Sequence, residues 1–404
     1  RRPCAYRSCH PEAPAMARLR VAAIVAVGLS ALALNFSDGE RRLRALGMYI
    51  LLTNLVGILL PGSWISKTDS CHNLANLLSS IPEHDRGAWQ VTAARFGGFS
   101  IAARAMRNNL HDPVLCEKCA WLFCAMANFN RETSRIAGES DGPRVLVEAM
   151  RRHPHHAGLQ AQGSASMGCW CDWTPETEEK VAALGGPQAV LSALRNFPDN
   201  VRVQFLGWAG LSSQSNRLDS KRIIIEAGAI TTGMQLMRDP RLRKGFRVRQ
   251  EILMTFANLV TNCNECANEL MGAGDVIKQT IEAMEEEVPD AERGTKTDGI
   301  QLMMELARNN HTSRAAILEA GFVTHTLEAM KRFPKPHPQG ASVWPLCEFA
   351  FELLFFLADG NKEAQAAMVR AGVPEVAQMA VAAAPGDGHR VYLQSRLLKA
   401  LQGQ

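Results

Sequence analysis

The residues of this 404-residue chain with the most obvious chemical potential are its cysteines and histidines. Cys116-x-x-Cys119 and Cys263-x-x-Cys266 have the spacing of a zinc-ligand or dithiol pair, and His153-Pro-His-His156 crowds three imidazoles into four residues. A structural zinc site takes four ligands held on turns. The first cysteine pair instead lies in a helix-forming run, and the second begins 147 residues further on. Both pairs therefore read as small buried hydrophobes. The histidine cluster could hold a metal or sense pH, but it falls in a loop where sister loops carry Arg, Asn and Lys, so it reads as a solvated loop. No nucleophile elbow, phosphate-binding loop, kinase motif or H-E-x-x-H pair occurs in the chain. The expectation is a protein that is not an enzyme and that uses no cofactor and no metal.

The elements that carry these residues recur. A phrase returns as Glu148-Ala-Met-Arg-Arg-His-Pro154, Ser192-Ala-Leu-Arg-Asn-Phe-Pro198 and Glu328-Ala-Met-Lys-Arg-Phe-Pro334, with looser copies ending at Pro113, Pro240 and Pro289. Each copy follows a glycine turn: Gly98, Gly142, Gly186, Gly228, Gly274, Gly321 and Gly372 are spaced by 44, 44, 42, 46, 47 and 51 residues. A period of about 44 is that of stacked two- or three-helix units, none of which can bury its apolar face alone. In each unit a glycine ends one helix as a left-handed cap. An apolar stretch follows and is closed by proline. After a polar loop comes a longer apolar stretch, such as residues 201–211 or 250–260, then a break often rich in Asn, and a short amphipathic run into the next glycine. No stretch alternates long enough to suggest strands.

This pattern resembles the armadillo repeat family over residues 70–404. The joint reads Asn216…Ile225-Glu-Ala-Gly-Ala-Ile230 in one copy and Asn310…Ile317-Leu-Glu-Ala-Gly-Phe322 in another. The resemblance implies an all-α, right-handed superhelical solenoid of three-helix repeats, with a concave groove lined by the longest helix of each unit. It also implies that polar residues near the ends of those helices bond the backbone of an extended peptide. The matching positions are Asn128, Asp172, Ser212, Asn258, Arg308 and Asp359. Importin-like members carry tryptophan four residues earlier; only Trp208 fits, and Cys124, Gly168, Met254, Met304 and Phe355 do not. The ladder that reads basic nuclear-import signals is therefore missing, and the implied role is a generic protein-binding groove lined in part by Trp208.

Charge narrows the class of partner. The net charge is +4, but residues 1–45 hold eight bases and three acids, leaving 36 bases and 37 acids for the rest. The repeats offer no overall basic stripe of the kind phosphate neutralisation needs, so nucleic acid is not an expected partner. Residues 1–61 form a separate basic and apolar segment, and residues 62–404 form the array, closed by a helix over 391–401. Read from Met16, the segment has the grammar of a signal peptide, with apolar residues 21–34 and a small-x-small site at Ala31-Leu-Ala33. A second apolar run covers residues 46–60. Either run is shorter than the ~30 Å hydrocarbon core demands of a lone span. The segment is a targeting or anchoring element, a degenerate capping repeat, or a product of the reading frame, since the sequence opens on Arg1 and could belong to a larger signalling protein. An odd number of cysteines, mostly in apolar helices, points instead to a reducing, cytoplasmic setting.

One feature exceeds the resemblance. Residues 238–249 hold six bases, Arg238, Arg241, Arg243, Lys244, Arg247 and Arg249, against Asp239 alone; residues 282–292, one unit later, hold six acids including Glu285, Glu286 and Glu287. Equivalent loops of adjacent repeats lie side by side, so these form either a surface ion-pair set of small energetic weight or a two-toned docking edge. The functional expectation is a scaffold that binds an extended or helical protein segment in its groove. The alternative is a membrane-tethered organiser held by residues 16–60.

Overall fold

Proline and glycine punctuation, with apolar runs between, gives helices throughout. The computed structural model describes residues 39–59, 66–172, 174–243, 247–286, 292–336 and 345–403. Among them are twenty-three α-helices, one 3-10 turn (Pro240–Arg243) and no strand. The helices recur as triplets of a short, a second and a long helix, as the armadillo resemblance implies. They divide into two compact units, one ending at Arg152 and one starting at His153.

The first unit opens with α1 (Gly39–Leu59) and the long helix α2 (Lys67–Ser80). It continues with the short helix α3 (Glu83–Arg95), the second helix α4 (Gly98–Asn108), the long α5 (Pro113–Ala127), the short α6 (Arg131–Glu139) and α7 (Gly142–Arg152). Long packs on long, α2 against α5, and second on second, α1 against α4 and α4 against α7. Helix α1 thus occupies the place of a second helix. Leu51, Leu52, Leu55 and Ile58 are its buried stripe. The signal-like stretch, residues 16–34, lies outside the described residues. No described helix is long and apolar enough to cross a membrane.

The second unit follows the same order. Its long helices are α8 (Ala157–Cys171), α11 (Val201–Ser213), α14 (Val248–Val260), α17 (Glu292–Asn309), α20 (Leu346–Ala358) and α23 (Gly388–Leu401). Its short helices are α9 (Pro175–Ala183), α12 (Leu218–Glu226), α15 (Asn264–Gly272), α18 (His311–Glu319) and α21 (Lys362–Arg370). Its second helices are α10 (Gly186–Asn196), α13 (Ala229–Arg238), α16 (Val276–Glu285), α19 (Phe322–Arg332) and α22 (Val373–Ala382). Each long helix packs along the next, and the second helices form a parallel layer behind them.

The asparagine-rich breaks are helix caps. Asn130, Asn310 and Asn361 accept the Thr133, Thr312 and Ala364 N–H groups at the start of short helices. Asp112, Asn200 and Asp387 do the same for long helices. Each cap is worth about 1 kcal/mol. His156 fills the equivalent place at α8, its Nδ1 accepting the Leu159 N–H at 3.1 Å.

The glycine joints differ in detail from the sequence expectation. In the Gly97-Gly98 and Gly185-Gly186 pairs, the left-handed residue is the first, with φ of 82° and 81°. The second glycine is needed for space: a Cβ on Gly186 would lie 2.5 Å from Val181 Cγ1. The joint at Gly142 has no left-handed glycine; Ser140 makes the turn, its hydroxyl donating to Ala137 O and accepting the Gly142 N–H.

Helices α8 and α11 approach closely through small residues. A Cβ on Gly210 would sit 2.5 Å from the Ser164 carbonyl oxygen, a backbone atom that cannot swing aside. Gly210→Ala is therefore expected to lower stability by about 1–3 kcal/mol. Gly272→Ala, at a helical site that meets nothing within 4 Å, should leave it unchanged or slightly raised. Urea unfolding midpoints of the two variants check this.

Candidate functional site

One face of the long helices is covered by neither the short nor the second helices. In the second unit this face carries half-buried residues at helical spacing: Ala165 and Cys169 on α8, Phe205, Ala209 and Ser213 on α11, Met254 and Asn258 on α14, Gln301 and Arg308 on α17, and Glu352 and Phe356 on α20. In the first unit Trp121, Cys124 and Asn128 follow the same spacing on and beyond α5. Successive members lie three, four or, on α17, seven residues apart, which is the spacing of one helix face.

The sequence-derived groove residues lie at or near the carboxyl ends of these helices. Asn128, Asp172 and Asp359 are the terminal cap residues of α5, α8 and α20. The Asn128 carbonyl accepts from Gln90 Nε2 at 3.0 Å. Asp172 is exposed at its rim, yet crowding around its carboxyl pushes it above the usual carboxylate range, opposed by a hydrogen bond from the Ser213 hydroxyl. Ser212 and Asn258 are brought together, the Asn258 amide donating to Ser212 Oγ at 2.8 Å. Arg308 donates to Glu352 at 2.6 Å and lies 3.5 Å from Glu305. Asp359 is exposed, 3.8 Å from Arg314.

Trp208 corrects the sequence expectation. It is fully buried, donates Nε1–H to Gln204 at 3.2 Å and meets Phe256 edge-on. It supports the face from below and does not line it. Gly233 on α13 makes the room for the indole: a Cβ there would lie 3.0 Å from Trp208 Cη2 and 2.5 Å from Phe256 Cζ.

The charged edge resolves into separate ion pairs. Arg238 pairs with Asp275 and also donates to the Ala273 carbonyl. Arg241 lies 2.8 Å from Asp199 and 2.6 Å from Asp239. Arg249 is buried, bonded to Glu286 at 2.6 Å and to the Met237 carbonyl. It corrects the reading of this loop as all surface. Glu285 lies 3.6 Å from His325. Arg247 is exposed beside α14; Lys244 and Glu287, and the Arg243 side chain, lie outside the described residues.

The cysteines also depart from a uniform reading. Cys116 and Cys119 are buried in α5, and burial pushes the Cys116 thiol up to about 12. A hydrogen bond with Cys71, 3.3 Å away, and then burial push Cys119 up as well. Cys263 is not helical: it is the cap residue of α15 and is joined to Cys266 by a disulfide. With Glu265 these form the one group of three possible metal ligands among the described residues, but Glu265 is held by Arg222 at 2.5 Å.

A recurrent feature escapes the sequence reading. Near the start of the long helices from α5 onward, one side chain turns back to the last carbonyls of the second helix or the loop that follows. Gln204 donates to Leu194 O and Phe197 O, Arg249 to Met237 O, Lys296 to Met284 O, and Arg390 to Ala380 O. Cys116 and Cys347 reach Asn109 O and Phe333 O from the same place. Their spacing keeps the period of the glycines, but their chemistry varies too much to register as a motif.

No family model and no curated protein matches the chain. Solved structures do. An engineered protein superposes with a TM-score of 0.68 at 16% identity, covering 97% of this chain and 92% of its own. A designed armadillo repeat protein in complex with the peptide (KR)4 gives 0.51 at 16% identity over 64% of this chain and 98% of its own. A chain from a structure of the cadherin and beta-catenin interaction gives 0.59 at 14% identity over 94% and 68%. The protein has the armadillo-like all-α repeat fold.

Two tests follow from the electrostatics. Arg249→Ala strips the half-buried Glu286 carboxylate and a helix-end carbonyl of their buried donor, so it should cost about 1–3 kcal/mol, whereas Arg241→Ala, at an exposed pair, should leave the midpoint nearly unchanged; denaturant midpoints distinguish them. Glu251 on α14 is buried, and loss of hydration, opposed by Arg247, pushes its carboxyl up to about 7. A raised carboxyl favours the fold below the ordinary glutamate range and loses that contribution as pH rises through about 7. Glu251→Gln should therefore stabilise the protein by about 2–3 kcal/mol at pH 8, with the gain shrinking as the pH falls towards 5.

Proposed function

We propose that this armadillo-like array is a non-enzymatic protein-interaction scaffold that holds an extended or helical segment of a partner along the open face of its long helices. The observation that carries the reading is the row of half-buried residues repeated on five successive long helices, α8 to α20. The row mixes apolar positions (Ala209, Met254, Phe356) with polar ones (Asn258, Gln301, Arg308). That mixture suits a segment that buries side chains and needs partners for its backbone groups. Helices stacked at a fixed repeat pre-organise the face, so ordering costs fall mainly on the ligand. The peptide-bound armadillo design among the structural neighbours supports the same use of the fold. Residues 39–59 act as the entry cap of the array, since α1 buries its apolar stripe against α2 and α4.

The test is capture of partners from the source lysate by the full chain, beside Ala209→Arg/Met254→Arg, which blocks the face, and Arg241→Ala, which does not. The expected result is loss of the captured partner in the double variant alone, with circular dichroism unchanged and hydrogen-exchange protection by the partner on α11 and α14. Equal capture by all three would reject the open face as the binding surface.

A further inference from the structure

We infer that residues 21–36 dock back on the first unit, in the slot between α1 and α3, and supply the short helix of its first repeat. The segment lies outside the described residues, but the slot that would receive it does not. Met48 of α1 and Asp85, Ala88, Trp89 and Thr92 of α3 line the slot around a volume of about 200 Å³. That is below the roughly 300–1,000 Å³ of a small-molecule site, and it suits one or two inserted side chains.

The repeat leaves this place open. Elsewhere a short helix packs on the short helix of the next repeat: α3 on α6, α9 on α12 and α12 on α15. Helix α1 holds the place of a second helix and α2 is a long one, so no short helix stands before α3 among the described residues. The two faces of α3 differ accordingly. One is engaged by the cap of α6, the Asn130 amide donating to the Gly87 carbonyl and to Gln90 Oε1, both at 3.2 Å. Asp85, Ala88, Trp89 and Thr92 share the opposite face, and none of them is buried. That face is mainly apolar in effect. The Thr92 hydroxyl is taken up by the Ala88 carbonyl at 2.8 Å, and Asp85 lies 3.4 Å from His84.

Sequence and connectivity name the occupant. Residues 21–36 carry no charge, and Val25, Leu29, Leu32 and Phe36, at spacings of four, three and four, fall on one helical face. Only Ser37 and Asp38 separate the segment from α1, and the joints between short and second helices elsewhere likewise have two or three residues. Met48 lies nine residues into α1, about 14 Å along it, and a helix over residues 21–36 returning beside α1 would span about 24 Å, so the reach suffices. Tethered this closely, the segment meets the slot at an effective concentration in the millimolar range, which favours it over a second copy of the chain. The same length of about 24 Å falls short of the ~30 Å bilayer core, which favours the slot over a membrane.

The test is photo-crosslinking in the full chain with p-benzoylphenylalanine in place of Trp89. Irradiation is expected to join position 89 to a peptide within residues 21–36 of the same chain, with a yield that neither protein concentration nor added phosphatidylcholine vesicles change. Leu29→Asp/Leu32→Asp should lower the yield about tenfold, because a carboxylate is costly to seat in an apolar slot. Ala31→Asp, on the opposite helical face, should not. With Trp89 intact, the ¹³C-methyl signal of Met48 should move in Leu29→Asp/Leu32→Asp and stay in Ala31→Asp, at unchanged circular dichroism, so a slot disturbed by the crosslinker cannot mislead. Crosslinks to other peptides alone, crosslinks between two chains, flotation on the vesicles with loss of the crosslink, or equal behaviour of the two aspartate variants would overturn the docking. Partner loss in Ala209→Arg/Met254→Arg reads the open face separately, so either claim can fail alone.

Discussion

The fold depends on what happens to the last carbonyls of each second helix. A helix leaves its final carbonyls without intrahelical donors, and in this chain a proline or a tight polar loop prevents the helix from continuing. Here those carbonyls face the long helix of the same unit, away from water. The long helices from α5 onward meet the need with one inward-turned donor each: Cys116, Gln160, Gln204, Arg249, Lys296, Cys347 and Arg390. That bond fixes the angle between second and long helix within a unit. Once the angle is fixed, the long helices can stack on one another and leave one face uncovered.

Stacking itself uses the basic residue of the recurrent phrase. Arg195 reaches forward to the Ala227 carbonyl, Arg238 to Ala273 and Asp275, and Arg107 to Asp141. Each target lies at the joint that ends the next short helix, where the negative end of the helix dipole favours a cation. Where the phrase carries Glu285 instead, the facing group is His325, 3.6 Å away. The charged run at residues 238–249 is largely this strap together with a buried donor, which explains why most of its described members already have partners.

The periodicity, the all-helical class and the position of the joints were legible in the sequence because glycine, proline and asparagine act locally. Their effect on φ, on capping and on helix termination does not depend on distant residues. The faces were less legible. Trp208 is buried where Gly233 of α13 leaves room for it against Phe256 of α14, which is a property of three elements at once. Arg249 looks like one of six loop bases, and only the position of Met237 O and Glu286 shows it to be internal. Cys263 takes a cap position that asparagine holds in other units, so its neighbours, not its spacing to Cys266, set its role. The donor at the start of each long helix kept the right phase but changed between thiol, amide, ammonium and guanidinium.

A stack built this way has to carry uncompensated carboxylates, and access decides what becomes of them. Where α14 meets α17, Glu251 and Asp298 are both buried; loss of hydration pushes both carboxyls up, and the Glu251 charge pushes Asp298 up further. The contribution of such buried carboxyls to stability therefore changes with pH, and it is set by where the stack denies them water.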